Sequence, residues 1–153
     1  MDSPVIKSLT ELQAIKAEEY VHVAMRESAE EAAKYAGKTY RKNVLICGGT
    51  GCTSSNSEVL ISTMKDELKK KGLENEVNVV RTGCFGLCAL GPIMIVYPEG
   101  SFYSRVKVED IPTIVEEHLL KGNIVKELLY DETVDGDNIK SLNETAFYAK
   151  QKR

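Results

Sequence analysis

The sequence predicts an α/β domain, with some α+β character, built on one four-stranded mixed β-sheet with two helices. Two observations support this fold class. Residues 43–47, residues 77–82 and the two segments flanking Pro98-Glu99-Gly100 are short apolar runs of the kind that form strands. Residues 57–71 and 108–121 instead repeat apolar residues with the spacing of an amphipathic helix. The predicted order is therefore β-α-β-β-β-α.

Before this domain, residues 8–36 are predicted to form one long helix. The sequence Ser8-Leu9-Thr10-Glu11 is a capping-box pattern at its start, and Gly37 is expected to end it. Its polar face is strongly charged. The helix is expected to pack on the domain or to serve a neighbouring subunit. A partly apolar stripe runs along the predicted helix and consists of Leu12, Ile15, Tyr20, Val23, Ala24 and Ala32.

The central helix, residues 57–71, is predicted to begin at a second capping box, Ser55-Asn56-Ser57-Glu58, and to end before Gly72. A hairpin is expected between "IMIVY" and "SFYSRV", because Pro98 and Gly100 suit a tight turn. The mixed sheet of thioredoxin-like folds accommodates this order of elements with short connections. The apolar faces of the two helices are Leu60, Ile61, Met64 and Leu68, and Ile111, Ile114, Val115 and Leu119.

The chain has 153 residues, the size of one domain with appendages. We expect a helical extension at residues 1–41, the thioredoxin-like domain at residues 42–122, and a C-terminal tail or linker at residues 123–153. The tail has only short apolar runs around a polar centre rich in Asp, Gly and Asn.

The composition is that of an ordinary globular protein, with 42% apolar residues, 28% charged residues and a net charge of −3. This balance does not predict a nucleic-acid partner. The apolar run "IMIVY" is far shorter than the roughly 20 residues of a membrane helix, and the start "MDSPVIKS" lacks a signal-peptide pattern. We therefore expect a cytoplasmic protein, in which cysteines are metal ligands or reactive thiols more often than disulfides.

The four cysteines form two pairs, Cys47-x₄-Cys52 and Cys84-x₃-Cys88. Each pair follows a predicted strand, and each loop contains glycines. If the two strands are parallel neighbours, both loops lie at the same edge of the sheet, which is the usual ligand-binding edge of open α/β sheets. The sequence therefore predicts one site shared by four thiolates.

Four thiolates can hold zinc, a [4Fe-4S] cluster or a [2Fe-2S] cluster. Neither the C-x₂-C knuckles typical of structural zinc nor a C-x₂-C-x₂-C run is present. Two separated pairs suit a two-iron cluster better, with one pair for each iron. The glycines let backbone N–H groups approach the sulfurs, and the helix after the first loop would add its positive end.

Other chemistry is less well supported by the sequence. A thioredoxin-type redox site requires C-x-x-C, and the glycine loop after the first strand lacks the lysine of a phosphate-binding P-loop and the third glycine of a dinucleotide fingerprint. His22 and His118 are isolated, and His118 is expected to be a packing or rim residue. Arg81 and Arg105 are expected to be solvated. A zinc-stabilised interaction module using the same cysteines remains the alternative function.

The stretches "NVLICGGTGCTSSNS" and "VVRTGCFGLCALGPIMIVYPEGSFYSRVKVEDIPTIVEEHL" resemble the thioredoxin-like [2Fe-2S] ferredoxin domain. They are most similar to the version at the N-terminus of the NADH-binding flavoprotein subunit of NAD-linked hydrogenases and related NADH dehydrogenases. The resemblance covers roughly residues 43–130. It implies that Cys47, Cys52, Cys84 and Cys88 ligate the cluster.

The ending from Tyr148 to Arg153 is similar to the segment that leads into the flavin-binding domain of that subunit. The resemblance thus implies an N-terminal fragment that carries single electrons, with FMN and NAD(P)H bound only by the downstream part. Its implied partners are other redox subunits of an NADH dehydrogenase or hydrogenase complex, and a homodimer is left open. No membrane insertion is expected.

Overall fold

A computed structural model shows the predicted four-stranded mixed sheet. It describes residues 5–35, 37, 39–135, 138–139, 141, 144–145 and 148–150. The strands are β1 (Lys42–Cys47), β2 (Val77–Thr82), β3 (Met94–Tyr97) and β4 (Ser101–Tyr103), in the order β2-β1-β3-β4. β1 is parallel to β2 and antiparallel to β3, and β3 is antiparallel to β4. The predicted thioredoxin-like arrangement is confirmed.

The first face of the sheet is covered by the two predicted helices. One is Ser57–Lys70, and the other covers residues 108–120 with a 3₁₀ turn, a short α-helical turn and π-helical turns. Their apolar faces are buried against Val44, Ile46 and Met94, as alternation along β1 and β3 requires. The segment after Gly122 extends this layer, because Leu129 is buried in it and forms a bridge with Tyr103.

The second face of the sheet is covered by segments from outside the β-α-β-β-β-α unit. Leu45, Ile95 and Phe102 pack there with Met25 from the N-terminal extension and Tyr148 from the C-terminal tail. The packed unit therefore extends beyond residue 122. The boundaries of the three-part division into residues 1–41, 42–122 and 123–153 stay a prediction.

The prediction of one helix over residues 8–36 is wrong. The extension consists of α1 (Leu9–Val23), a 3₁₀ turn (Ala24–Arg26) and α2 (Ala29–Lys34). Ser28 has an extended backbone and its hydroxyl accepts from Glu31 N–H, so it begins a new helix. The break turns Met25 into the core, whereas α1 has no buried residue. The Ser8 cap is confirmed by its contact with Glu11 N–H, and Gly37 has φ +78°.

The glycine loop after β1 contains a short helix, α3 (Thr50–Ser54), that the sequence did not predict. The helix Ser57–Lys70 is therefore named α4, and its predicted capping box is wrong. Asn56 precedes α4 in the left-handed region, with φ +67° and no side-chain cap. The Ser55 hydroxyl is used instead to donate to Gly51 O at 3.1 Å.

A polar cluster joins the hairpin to the last helix at the end of the sheet away from the cysteines. Glu99 lies in the turn between β3 and β4 and accepts from Lys42 Nζ, and its Oε2 is 3.7 Å from His118 Nε2. The His118 ring is fully buried and its Nδ1 lies 2.7 Å from the Tyr103 hydroxyl. The prediction of His118 as a packing residue is thus refined to a buried polar one.

The remaining elements follow in the tail. A 3₁₀ turn lies at Lys126–Leu128 and another at Asp131–Thr133, and the backbone of β5 (Val134–Asp135) pairs with β6 (Asn138–Ile139). The peptide bonds Gly91-Pro92 and Tyr97-Pro98 are cis. Within the described ranges, no helix is long and apolar enough to cross a membrane. Residues 151–153, which end the segment similar to the flavin-domain linker, lie outside the described residues.

Candidate metal centre

The parallel pairing of β1 and β2 brings the two cysteine loops to one edge of the sheet. Cys47 is the last residue of β1 and is in register with Thr82, the last residue of β2. Cys52 lies in α3, while Cys84 follows β2 closely and Cys88 begins a 3₁₀ turn (Cys88–Leu90). The predicted convergence of both loops at the carboxyl ends of these strands is what the structure shows.

The sulfur atoms are arranged as two linked pairs. Cys84 Sγ and Cys88 Sγ are 3.5 Å apart. Cys47 packs in the same buried cluster as Cys52, and its Sγ donates to the carbonyl of Gly83, the residue before Cys84, at 3.7 Å. All four cysteines are free thiols. The structure therefore brings together all four residues that the sequence predicts as ligands.

Glycines allow the two loops to approach each other this closely. A Cβ atom on Gly49 would lie 2.8 Å from Cys84 Cβ, and one on Gly51 would lie 3.6 Å from Cys88 Sγ. A third glycine, Gly91, would place a Cβ atom 2.7 Å from Cys52 Sγ. The role of Gly91 was missed from the sequence, because it follows the second cysteine pair and contacts the first.

The two pairs differ in their exposure to solvent. Cys47 and Cys52 are each 1% exposed and belong to the core on the second face of the sheet. Cys84 and Cys88 are exposed, with the partly buried Phe85 and Leu87 between them. The site is thus shielded from water on the side of Cys47 and Cys52, and another molecule can reach it on the side of Cys84 and Cys88.

Burial and hydrogen bonding shift the thiol pKa values in opposite directions. Burial, assisted by the hydrogen bond with Cys47, raises the pKa of Cys52 to about 11. The Gly86 N–H, which lies 3.3 Å from Cys84 Sγ, and the Cys88 thiol lower the pKa of Cys84. The pKa of Cys88 is raised because its thiol hydrogen-bonds to Cys84. Backbone donation to sulfur, predicted from the glycines, is therefore present at Cys84.

Arg81 holds the first loop from the outside. Its Nη2 donates to Gly48 O at 3.0 Å and its Nε donates to Glu58 Oε1 at 2.6 Å, and a Cβ atom on Gly48 would lie 2.6 Å from the guanidinium carbon. Arg81 is solvated as expected, with 53% of its side chain exposed, and it has a structural role in the loop in addition. The only signal in the sequence was its position at the end of β2, beside the loop.

Other predicted residues lie away from the site or stay at its margin. His22 is 3.3 Å from the Thr39 hydroxyl and His118 lies in the polar cluster described above, so neither contributes to the cysteine cluster. Arg105 has φ +51°, and its N–H donates to Leu90 O at 2.8 Å. It is thus joined to the 3₁₀ turn that begins at Cys88.

The donor set fits an iron–sulfur cluster. Thiolates are soft ligands that suit iron–sulfur clusters, and the four sulfurs here form pairs. Two pairs offer one pair to each iron of a two-iron cluster.

Comparisons with known proteins agree with this chemistry. The model of the thioredoxin-like [2Fe-2S] ferredoxin family matches residues 34–119. A 2Fe-2S ferredoxin of Clostridium pasteurianum is 47% identical over 77 residues, which are 50% of this chain and 76% of that protein. A 2Fe-2S ferredoxin of Aquifex aeolicus (strain VF5) is 45% identical over 51 residues, 33% of this chain and 46% of that protein.

A similar fold occurs among solved structures. The structure of a thioredoxin-like [2Fe-2S] ferredoxin from Aquifex aeolicus matches this chain with a TM-score of 0.55 and 28% sequence identity. The match covers 66% of this chain. The match takes in 96% of that protein. The extra length of the present chain thus lies outside the part that the two proteins share.

Proposed function

Because the chain belongs to the thioredoxin-like [2Fe-2S] ferredoxin family, we propose that Cys47, Cys52, Cys84 and Cys88 hold its [2Fe-2S] cluster and that the chain carries single electrons. The predicted cofactor and electron-transfer function are those of the family. The observation that supports the ligand set is the meeting of the two cysteine pairs at one sheet edge.

The bound cluster supplies the reversible uptake of one electron, and the residues of this chain set the conditions. Cys47 and Cys52 keep water away from the inner side, since they lie in the hydrophobic core. Gly86 N–H donates to Cys84 Sγ, which favours added negative charge at that sulfur. The exposed pair, Cys84 and Cys88, is where a redox partner approaches.

We further propose that the partners are redox subunits of an NAD(P)H-linked hydrogenase or dehydrogenase complex. The support is the similarity of the segments quoted above to the N-terminal domain of the flavoprotein subunit, including the ending from Tyr148 to Arg153. Under this proposal FMN and NAD(P)H are bound by a flavin domain, and this chain exchanges electrons with it. A cytoplasmic location is part of the same proposal, which is compatible with either a monomer or a homodimer.

The zinc-stabilised module requires four sulfurs around one ion at about 2.3 Å from it. None of the comparisons with known proteins favours zinc. The test is replacement of each cysteine by serine, whose oxygen is a poorer ligand for iron than thiolate sulfur. Each variant is expected to lose or alter the cluster signal in electron paramagnetic resonance (EPR), whereas Ala89→Ser, an exposed change in the second loop, should leave it intact.

A variant whose iron content, sulfide content and EPR signal all match those of the unsubstituted protein would remove that cysteine from the ligand set. Loss of the cluster in Ala89→Ser as well would mean that the assay reports general damage to the loop. The two results are separable because Ala89 is adjacent to Cys88 and is also exposed to solvent.

A further inference from the structure

Tyr148 connects the C-terminal tail to the second cysteine loop. Its side chain is 7% exposed and packs in the same hydrophobic cluster as Cys47 and Cys52, against which Phe85 and Leu87 also pack. Its hydroxyl donates a hydrogen bond to the backbone carbonyl of Phe85. Residue 148 lies outside the residues 34–119 that match the ferredoxin family, so this contact is an addition to the shared domain.

The carbonyl that Tyr148 contacts belongs to the same peptide group as the N–H that reaches the cluster site. Phe85 O accepts from Tyr148, and the N–H of that peptide, on Gly86, donates to Cys84 Sγ at 3.3 Å. Gly86 has φ +85°, a conformation that glycine adopts without steric cost. The peptide group is thus held at its oxygen by the tail while its N–H points at a sulfur.

We propose that Tyr148 is a positioning residue that holds the Phe85-Gly86 peptide so that its N–H donates to Cys84 Sγ. The proposal rests on the proposed function, in which Cys84 is a cluster ligand. A hydrogen bond to the carbonyl polarises the peptide and strengthens its N–H as a donor. Hydrogen bonds to cluster sulfur stabilise the more negative, reduced state. Tyr148 therefore raises the reduction potential of the cluster.

A second consequence concerns order in the loop. The second cysteine loop is held at the Phe85 carbonyl and is packed by the rings of Phe85 and Tyr148. A loop held in this way opens less often than a free loop. Tyr148 and Phe85 belong to the same apolar cluster, so the tail closes over the loop from the core side. The Gly86 amide is therefore expected to exchange its hydrogen more slowly in the metal-free protein than in metal-free Tyr148→Phe.

The test compares the reduction potential of the cluster in Tyr148→Phe with that in the unsubstituted full-length chain. Removing the hydroxyl while keeping the ring should lower the equilibrium constant for reduction by roughly two- to tenfold, the range of one ordinary hydrogen bond. The matched control is Tyr130→Phe, which removes a hydroxyl from a tyrosine packed on the same cluster. Tyr130→Phe should leave the potential unchanged. An unchanged potential in Tyr148→Phe, with the cluster retained, overturns the proposal.

Fluorinated tyrosines at position 148 provide a test that does not depend on Tyr148→Phe keeping its cluster. Fluorination strengthens the phenol as a donor with little change in shape, so the potential should rise with donor strength below the pH at which the phenol ionises. If the potential shows no trend across the series, the proposal is overturned. If the unsubstituted chain binds no [2Fe-2S] cluster, the proposed function fails instead, and faster exchange of the Gly86 amide in metal-free Tyr148→Phe still decides whether the residue positions the loop.

Discussion

Gly49 in the first cysteine loop lies against Cys84 in the second. A Cβ atom at Gly49 would be 2.8 Å from Cys84 Cβ and 3.3 Å from Cys84 Sγ, so no side chain fits between the loops. The two cysteine pairs can share a cluster only if this approach is preserved. The lack of a side chain at Gly49 in the first loop therefore allows Cys84 in the second loop to reach the shared site.

Gly49→Ala is expected to abolish or strongly reduce cluster binding, because the added methyl group forces the two loops apart. The overall fold should persist, with a free energy of unfolding lowered by about 1–3 kcal/mol in the metal-free protein. Iron and sulfide content and the visible absorption of the purified variant measure the first effect, and urea unfolding measures the second.

Gly83→Ala is the matched control, since a Cβ atom there meets nothing within 4 Å although the residue is adjacent to Cys84. It should keep its cluster. If Gly49→Ala bound iron and sulfide as well as Gly83→Ala does, the close approach of the loops would not matter for the site.

Glu99→Gln tests the polar cluster at the other end of the sheet. Burial alone would raise the pKa of the Glu99 carboxyl, but its interactions with His118 and Lys42 outweigh burial and lower the pKa from 4.5 to about 2. Because the folded-state value is depressed, the charged carboxylate stabilises the fold fully above about pH 4.5. This stability is lost as the pH falls from there toward about 2.

At neutral pH, Glu99→Gln should lower the free energy of unfolding by about 1–2 kcal/mol, a modest figure because a third of the Glu99 side chain is exposed. The difference from the unsubstituted protein should shrink below pH 4.5. Urea unfolding of metal-free protein measures both, with Glu109→Gln, a side chain 75% exposed, as the control that changes little. A difference that did not depend on pH would contradict the assignment of the effect to charge.

Removal of the cluster should loosen the loops and leave the sheet intact. Without the cluster the two loops lose the metal–sulfur bonds that tie them to one centre, while the helices keep their own apolar faces against β1 and β3. Amide hydrogen exchange should therefore accelerate in residues 48–56 and 83–91 and change little in β1 and β2. Equal loss of protection in the strands would mean that the cluster is needed for the fold itself.

NADH alone should not reduce the cluster of this chain at a useful rate. Hydride transfer delivers two electrons, and a [2Fe-2S] cluster accepts one, so a flavin must separate the pair. Stopped-flow absorption with NADH, and then with NADH and a flavin-bearing partner subunit, tests this expectation. Bleaching of the visible band within seconds by NADH alone would reveal a nucleotide site in this chain.

The sheet and the cysteine site could be predicted because each rests on a local rule. The strands and the two main helices have clear boundaries in the sequence, and parallel neighbours bring the loops after Cys47 and Thr82 to one edge. Glycines next to cysteines indicated close packing of backbone and sulfur, and the contact of Gly49 with Cys84 confirms it.

The features that could not be predicted depend on contacts distant in sequence. Good helix formers fill residues 8–36, but burial of Met25 breaks the helix before Ser28, whose capping pattern with Glu31 went unrecognised. Asn56 adopts a left-handed conformation because α3 already occupies the preceding residues. The contact of Tyr148 with Phe85 joins segments that no local pattern relates.

Metal analysis combined with a reductive titration tests the central claim most directly. Protein purified without oxygen should contain about two iron and two sulfide per chain and accept about one electron per chain from dithionite, with a rhombic EPR signal from the reduced state. A colourless protein with about one zinc per chain and no uptake of electrons would contradict the account and support the zinc-stabilised module.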